Sequence, residues 1–180
     1  MRKIAIATGT RADWGLLSGI AIALREREDC QVTVLATNMH LQARYGMTVN
    51  EIIANGFDDV VSVPMPDTGD TPIGTVDAMA ACMSGMAHAL QAVAPDIIVI
   101  LGDRFEMLAT ASAALMMRIP IVHIAGGEIS EGAIDDSIRH AITKMSALHL
   151  TSTEPYRRRV IAMGESPERV INTGSIGVYN

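Results

Sequence analysis

Three short segments hold most of the groups in this chain that are able to take up or release a proton beside a ligand. They are Leu101-Gly102-Asp103-Arg104-Phe105-Glu106, His123-Ile124-Ala125-Gly126-Gly127-Glu128 and Asp135-Asp136-Ser137-Ile138-Arg139-His140. The first two begin as apolar runs with the character of buried strands and break off in glycine and charge. A charged residue directly after a parallel strand lies at the carboxyl end of the sheet, where open α/β folds place their ligands. Acids at the start of the next helix bring a further carboxylate to the same end. Asp103, Glu128 and Asp135 are therefore candidate acid/base groups gathered at one cleft.

Each of these residues also has a plainer reading. Asp103 can cap the helix that follows it, with Arg104 as its neutralising partner. Of Asp135 and Asp136, one reads as an N-cap on a helix whose dipole favours carboxylates there. Arg139 and His140, one turn on, either hold a ligand phosphate or pair with these acids. Gly126 and Gly127 are either a backbone that must clear a ligand or a flexible loop.

The first strand-to-helix turn is Gly9-Thr10-Arg11-Ala12-Asp13. It lacks the GxGxxG spacing, so no dinucleotide fingerprint is present. Gly9 allows close approach of the backbone to a ligand, and Arg11 supplies a planar cation suited to phosphate. The alternative is an ordinary turn with Asp13 as helix cap. His123, inside an apolar strand, reads as a satisfied core histidine, whereas His40, His88 and His149 lack partners nearby in sequence and are assigned no function. The methionine-rich run 107–117 reads as core packing.

Strand and helix signals alternate along the whole chain. Strands are expected at 3–8, 31–37, 60–63, 96–101, 119–124, 147–151 and 170–173. Helices are expected at 13–27, 49–54, 73–93, 105–117, 136–146 and 154–163, and 65–72 is the one irregular stretch. This alternation predicts right-handed βαβ units and a doubly wound parallel sheet, a Rossmann-like α/β domain covering 1–180. The chain stops shortly after a strand, where another helix is expected, so the ending reads as cut.

Of the 180 residues, 49% are hydrophobic and only 3% aromatic, and the net charge is -6. No basic stripe interleaved with aromatics is present, which argues against a nucleic-acid surface. Substrate anions must then be met by local groups rather than by an overall field. The two cysteines, Cys30 and Cys82, stand apart without metal or redox spacing and read as free thiols in a reducing compartment. No membrane span or signal peptide is evident, so a cytoplasmic location is expected.

Together these motifs, with Gly9-Thr10-Arg11-Ala12-Asp13 and the continuation Ala141-Ile142-Thr143-Lys144, resemble the hydrolysing UDP-N-acetylglucosamine 2-epimerases. The likeness spans essentially the whole chain. It implies the N-terminal half of a glycosyltransferase-B-type enzyme, whose second half supplies most contacts to uridine and diphosphate. It implies elimination of UDP from a nucleotide sugar and rehydration of the glycal, giving N-acetylmannosamine and UDP for nonulosonic (sialic-type) acid synthesis. The same reaction on a UDP-2,4-diacetamido-2,4,6-trideoxy sugar, on the legionaminic acid route, is the alternative, and a non-catalytic half-domain is another. The resemblance assigns acid/base roles to Asp103 and Asp135, while Gly9, Arg11, Gly127, Arg139 and His140 remain the candidate substrate contacts read from their positions. Other members often carry a glutamate two residues after the strand histidine. This chain has Ala125 there, and Glu128 is the remaining glutamate on the loop. Neither a metal nor another cofactor is expected, the partner is a UDP-sugar, and the assembly is expected to be a homo-oligomer.

Overall fold

The computed structural model describes residues 1–69, 71–130 and 134–178. Seven strands form one sheet: β1 (Arg2–Thr8), β2 (Cys30–Thr37), β3 (Val61–Val63), β4 (Ile97–Leu101), β5 (Ile121–Ile124), β6 (Leu148–Thr151) and β7 (Val170–Asn172). Six helices connect them: α1 (Arg11–Arg25), α2 (Val49–Ala54), α3 (Pro72–Val93), α4 (Phe105–Met116), α5 (Asp135–Met145) and α6 (Glu154–Ala162). All strand pairs are parallel and the order is β3-β2-β1-β4-β5-β6-β7. The expected doubly wound sheet is therefore present. Its direction of growth reverses between β1 and β4, and that reversal opens a crevice at the carboxyl ends of these two strands.

Alternation along β4 shows how the sheet is covered on both faces. Ile98 and Ile100 pack with Met86, Leu90, Met107 and Ile142 beneath α3, α4 and α5. Val99 and Leu101 pack with Trp14, Leu17, Ile52 and Phe57 beneath α1 and α2. Strands buried on both faces need near-continuous apolar runs, which is what the chain supplies. The packing role read for the run 107–117 holds for Met107, which is 1% exposed, but not for Met116, which is 75% exposed at the end of α4 where the helix leaves the sheet. Trp14 closes the α1 side through an edge-on contact with Phe57, and its indole N–H donates to Asn55 Oδ1 at 2.8 Å.

The helix starts follow local rules. Thr10, Thr71 and Thr153 are N-caps whose hydroxyls accept from Asp13, Gly74 and Tyr156 backbone N–H groups. The cap of α1 is thus Thr10 and not Asp13. Two short 3₁₀ turns, Asn38–Leu41 and Ala43–Tyr45, follow β2 in a stretch for which no helix is expected. They bury His40 between Thr8 and Thr48, at 3.0 and 2.8 Å. His149 is likewise buried and meets Glu165 at 3.2 Å. The partners of both histidines come from other elements and not from their immediate sequence neighbours.

Candidate active site

Three strand ends and one helix start build the site. Gly102, with φ of 74°, turns the chain out of β4 and presents Asp103. At the end of β5, Ala125 adopts φ of 64°, a left-handed conformation that costs an L-residue of this kind about 1–2 kcal/mol. Such strain at a strand end accompanies functional sites more often than ordinary loops. The Ala125 carbonyl is thereby turned to accept from Arg139 Nη1 at 2.9 Å.

Arg139 is the centre of the cluster. Its side chain is 7% exposed, and its guanidinium binds the Asp103 carboxylate, donates to Ser130 Oγ at 3.2 Å and lies 3.7 Å from Glu128 Oε2. Asp103 therefore pairs across 36 positions of sequence with Arg139, while its neighbour Arg104 pairs with Glu106. Neither the capping role nor the Arg104 pairing read for Asp103 is found: α4 has no side-chain cap. Burial pushes the Asp103 carboxyl above its ordinary range, Arg139 opposes that, and Asp135 and Glu128 push it further up. Asp135 and Glu128 therefore both lie within electrostatic reach of Asp103.

Asp136 takes a different task from Asp135. It accepts from the Ser130 backbone N–H at 2.7 Å and ties the loop after β5 to α5. The N-cap of α5 is Ile134, so the reading of one aspartate as a cap is corrected: no side chain caps this helix. Glu128 is held by Ser152, whose hydroxyl donates to it at 2.6 Å. Ser152 directly follows β6 and was accessible to the strand-end rule that found Asp103. Ala125, Glu128 and Ser152 line one cavity with Leu16, Ile124 and Ile176.

His123 fits the core reading and adds a positioning function. It is wholly buried, and its Nε2 lies 2.8 Å from the Gly102 carbonyl, which can only accept, so Nε2 carries the proton. Nδ1 then accepts from the Thr143 hydroxyl at 3.1 Å. Burial pushes the imidazole pKa down to about 4, which keeps this bridge neutral. It links the Asp103 turn to α5.

The remaining predicted contacts are distributed unevenly. Arg11 lies exposed at the mouth of the crevice and pairs with Glu51 at 2.9 Å, not with Asp13. An exposed pair of this kind contributes little to stability and leaves the guanidinium available. His140 is partly buried, and its Nδ1 has no hydrogen-bond partner among the described residues. Gly9 and Gly127 were read as leaving room for a ligand, and the room is instead taken by protein. A Cβ at Gly9 would lie 2.4 Å from Glu106 Oε1. One at Gly127, where φ is 78°, would lie 2.5 Å from the Tyr156 carbonyl of α6.

Fold and cluster together define a doubly wound α/β domain with an arginine-centred group of carboxylates at the carboxyl ends of β4 and β5. A family profile described as UDP-N-acetylglucosamine 2-epimerase matches residues 22–180. The chain belongs to that family. It is 42% identical over 97% of its length to a GDP/UDP-N,N'-diacetylbacillosamine 2-epimerase (hydrolyzing) of Campylobacter jejuni, of which it covers 45%. It is 40% identical over 99% of its length to a UDP-N,N'-diacetylbacillosamine 2-epimerase (hydrolyzing) of Legionella pneumophila, covering 47%. The chain thus spans about half the length of the curated relatives it matches. The solved structure of the Neisseria meningitidis UDP-GlcNAc 2-epimerase bound to UDP-GlcNAc has the same fold, with a TM-score of 0.86 at 17% identity over 98% of this chain and 47% of that one.

Proposed function

We propose that this chain is the N-terminal half of a hydrolysing UDP-sugar 2-epimerase and carries its acid/base groups. The Arg139-centred assembly of Asp103 and Glu128, with Asp135 in electrostatic reach, is the observation that supports this most directly. The C2 hydrogen of an N-acetylated sugar is not acidic, because no carbonyl is attached to that carbon. Removing it becomes feasible when the C2–H electron pair forms a C1=C2 bond while the C1–O bond to UDP breaks. A carboxylate takes the proton; water then adds its hydroxyl at C1 and gives up its other proton to a carboxylate, while a carboxylic acid returns a proton to the opposite face of C2. The step needs one ionised and one protonated carboxyl group. A cluster in which burial and neighbouring acids raise Asp103 while Arg139 lowers it suits such a division.

The substrate we favour is the UDP-2,4-diacetamido-2,4,6-trideoxy sugar, because the Campylobacter jejuni relative at 42% and the Legionella pneumophila relative at 40% identity carry that class of name. UDP-N-acetylglucosamine is the second reading, supported by a Neisseria meningitidis relative named UDP-N-acetylglucosamine 2-epimerase at 33%. We place the uridine and most diphosphate contacts in a second half outside this chain, so the 180-residue chain alone is expected to fold but not to turn over. Self-association is also proposed, with Ile73, Val76 and Met83 exposed along α3 as its support.

The test is incubation of full-length protein with each UDP-sugar and no added metal or nicotinamide, read by mass spectrometry and proton NMR. Free 2-epimerised sugar plus UDP, with one deuterium at C2 when the solvent is D₂O, is the expected result. Product without solvent deuterium, or turnover only after a divalent ion is restored, would overturn the reading.

A further inference from the structure

On the β1 side of the switch point, three charged side chains fill a space that the roles above leave unused. Glu106, in the first turn of α4, has no exposed surface. Its Oε1 accepts from Arg104 Nε at 2.6 Å, and its Oε2 is buried with no hydrogen-bond partner among the described residues. The turn after β1 closes directly on this carboxylate, and only a glycine at position 9 leaves it room. A carboxylate enclosed this way is unfavourable for folding compared with an apolar side chain of the same size. Its presence calls for a use beyond stability.

Arg104 indicates what that use is. Its side chain is one-third exposed, and it spends only its Nε on Glu106. The two Nη nitrogens have no hydrogen-bond partner among the described residues. The residue lines one cavity with Arg11, Tyr45 and Thr48, and a second with Arg44 and Asp67. A guanidinium gripped at Nε keeps its two-pronged end free, which is the end that matches a phosphate or carboxylate. Asp13, at the start of α1, acts electrostatically on both Arg104 and Glu106 and completes the enclosure.

We infer that Glu106 is a positioning residue, holding the Arg104 guanidinium with its free end toward the crevice so that it meets an anion without first being ordered. Pre-ordering a long side chain removes part of the entropy lost on binding. The anion's identity, the diphosphate of a nucleotide sugar, rests on the function proposed above, whereas the positioning itself rests on the geometry of Glu106, Arg104 and Gly9.

The test is a double-mutant cycle in the full-length protein with Kd measured by calorimetry for two probes, UDP and inorganic pyrophosphate. Glu106→Gln and the apolar Glu106→Met, which avoids burying an unpaired charge, should each weaken binding by about tenfold, the scale of one charge-assisted hydrogen bond. In an Arg104→Ala background either change should alter Kd by less than about twofold, because Glu106 acts only through Arg104. Equal losses in both backgrounds, or unchanged binding with Arg104 present, would overturn the inference. If the unsubstituted protein binds pyrophosphate and ignores UDP, the cycle on pyrophosphate still decides Glu106 and only the substrate reading falls. Binding of neither probe would remove the anion role of Arg104 and the inference with it.

Discussion

Arg139→Met should couple a loss of stability to a shift in the pH dependence of turnover. Methionine has comparable length but supplies no charge and no donor. The change removes the Asp103 pair, the 2.9 Å bond to the Ala125 carbonyl and the 3.2 Å bond to Ser130. Removing one member of a fully buried ion pair costs about 3–5 kcal/mol. The Asp103 and Glu128 side chains keep 20% and 31% of their exposure, so water partly replaces the cation. The expected loss is therefore roughly 2–3 kcal/mol, which lowers Tm by about 5–10 °C for a domain of this size. The electrostatic consequence has a definite sign. Arg139 is the leading influence that lowers the Asp103 carboxyl, and the acids left behind both raise it. With Arg139 gone, Asp103 holds its proton to higher pH, so the acid limb of kcat/KM moves upward if Asp103 is the base. Arg139→Lys should bring the limb most of the way back while recovering only part of the stability, because one ammonium cannot reach all the partners of the guanidinium. Calorimetry and a pH–rate profile of the full-length enzyme measure both quantities. A variant that loses stability but keeps the wild-type acid limb would separate Asp103 from the proton-abstracting role.

Asp103→Asn and Asp135→Asn should each lower turnover by about 10²-fold or more in steady-state assays. Only Asp103→Asn should also lower Tm by several degrees, since it alone leaves buried Arg139 without its main partner. His40 and His123 each have a pKa of about 4 in the fold because burial disfavours the imidazolium. Folded values below the unfolded one mean that their contribution is fully present above about pH 6.5 and is lost as pH falls through about 4, at up to roughly 3 kcal/mol each. Thermal melts between pH 7 and 4 check this, and a flat Tm would contradict it. Gly127→Ala should destabilise by about 3 kcal/mol or more, combining a left-handed alanine with a clash against the Tyr156 carbonyl. Retained stability with weakened nucleotide binding would return Gly127 to a ligand role.

The sequence by itself determined the layering and the strand ends. β4 reads as a parallel strand because Ile97 to Leu101 is apolar at every position, a pattern only a sheet covered on both faces requires. Gly102-Asp103 and Gly127-Glu128 mark the carboxyl edge for the same local reason, a polar break directly after such a run. The family resemblance rested on those same breaks.

Only the tertiary structure decided the partners, because they come from pairing across long stretches of chain. Arg104 is adjacent to Asp103, yet it serves Glu106, while Asp103 takes Arg139 from α5. Local helix-start rules do not distinguish Asp135 from Asp136, and only the position of the Ser130 N–H assigns Asp136 to the loop. Gly9 and Gly127 signalled close approach correctly, but a missing Cβ does not say what approaches, and here it is Glu106 and α6. Helix and strand periodicities repeat within a few residues and are written locally. Electrostatic partnership depends on which faces meet after the chain has crossed the sheet, and that is set by the β3-β2-β1-β4-β5-β6-β7 order.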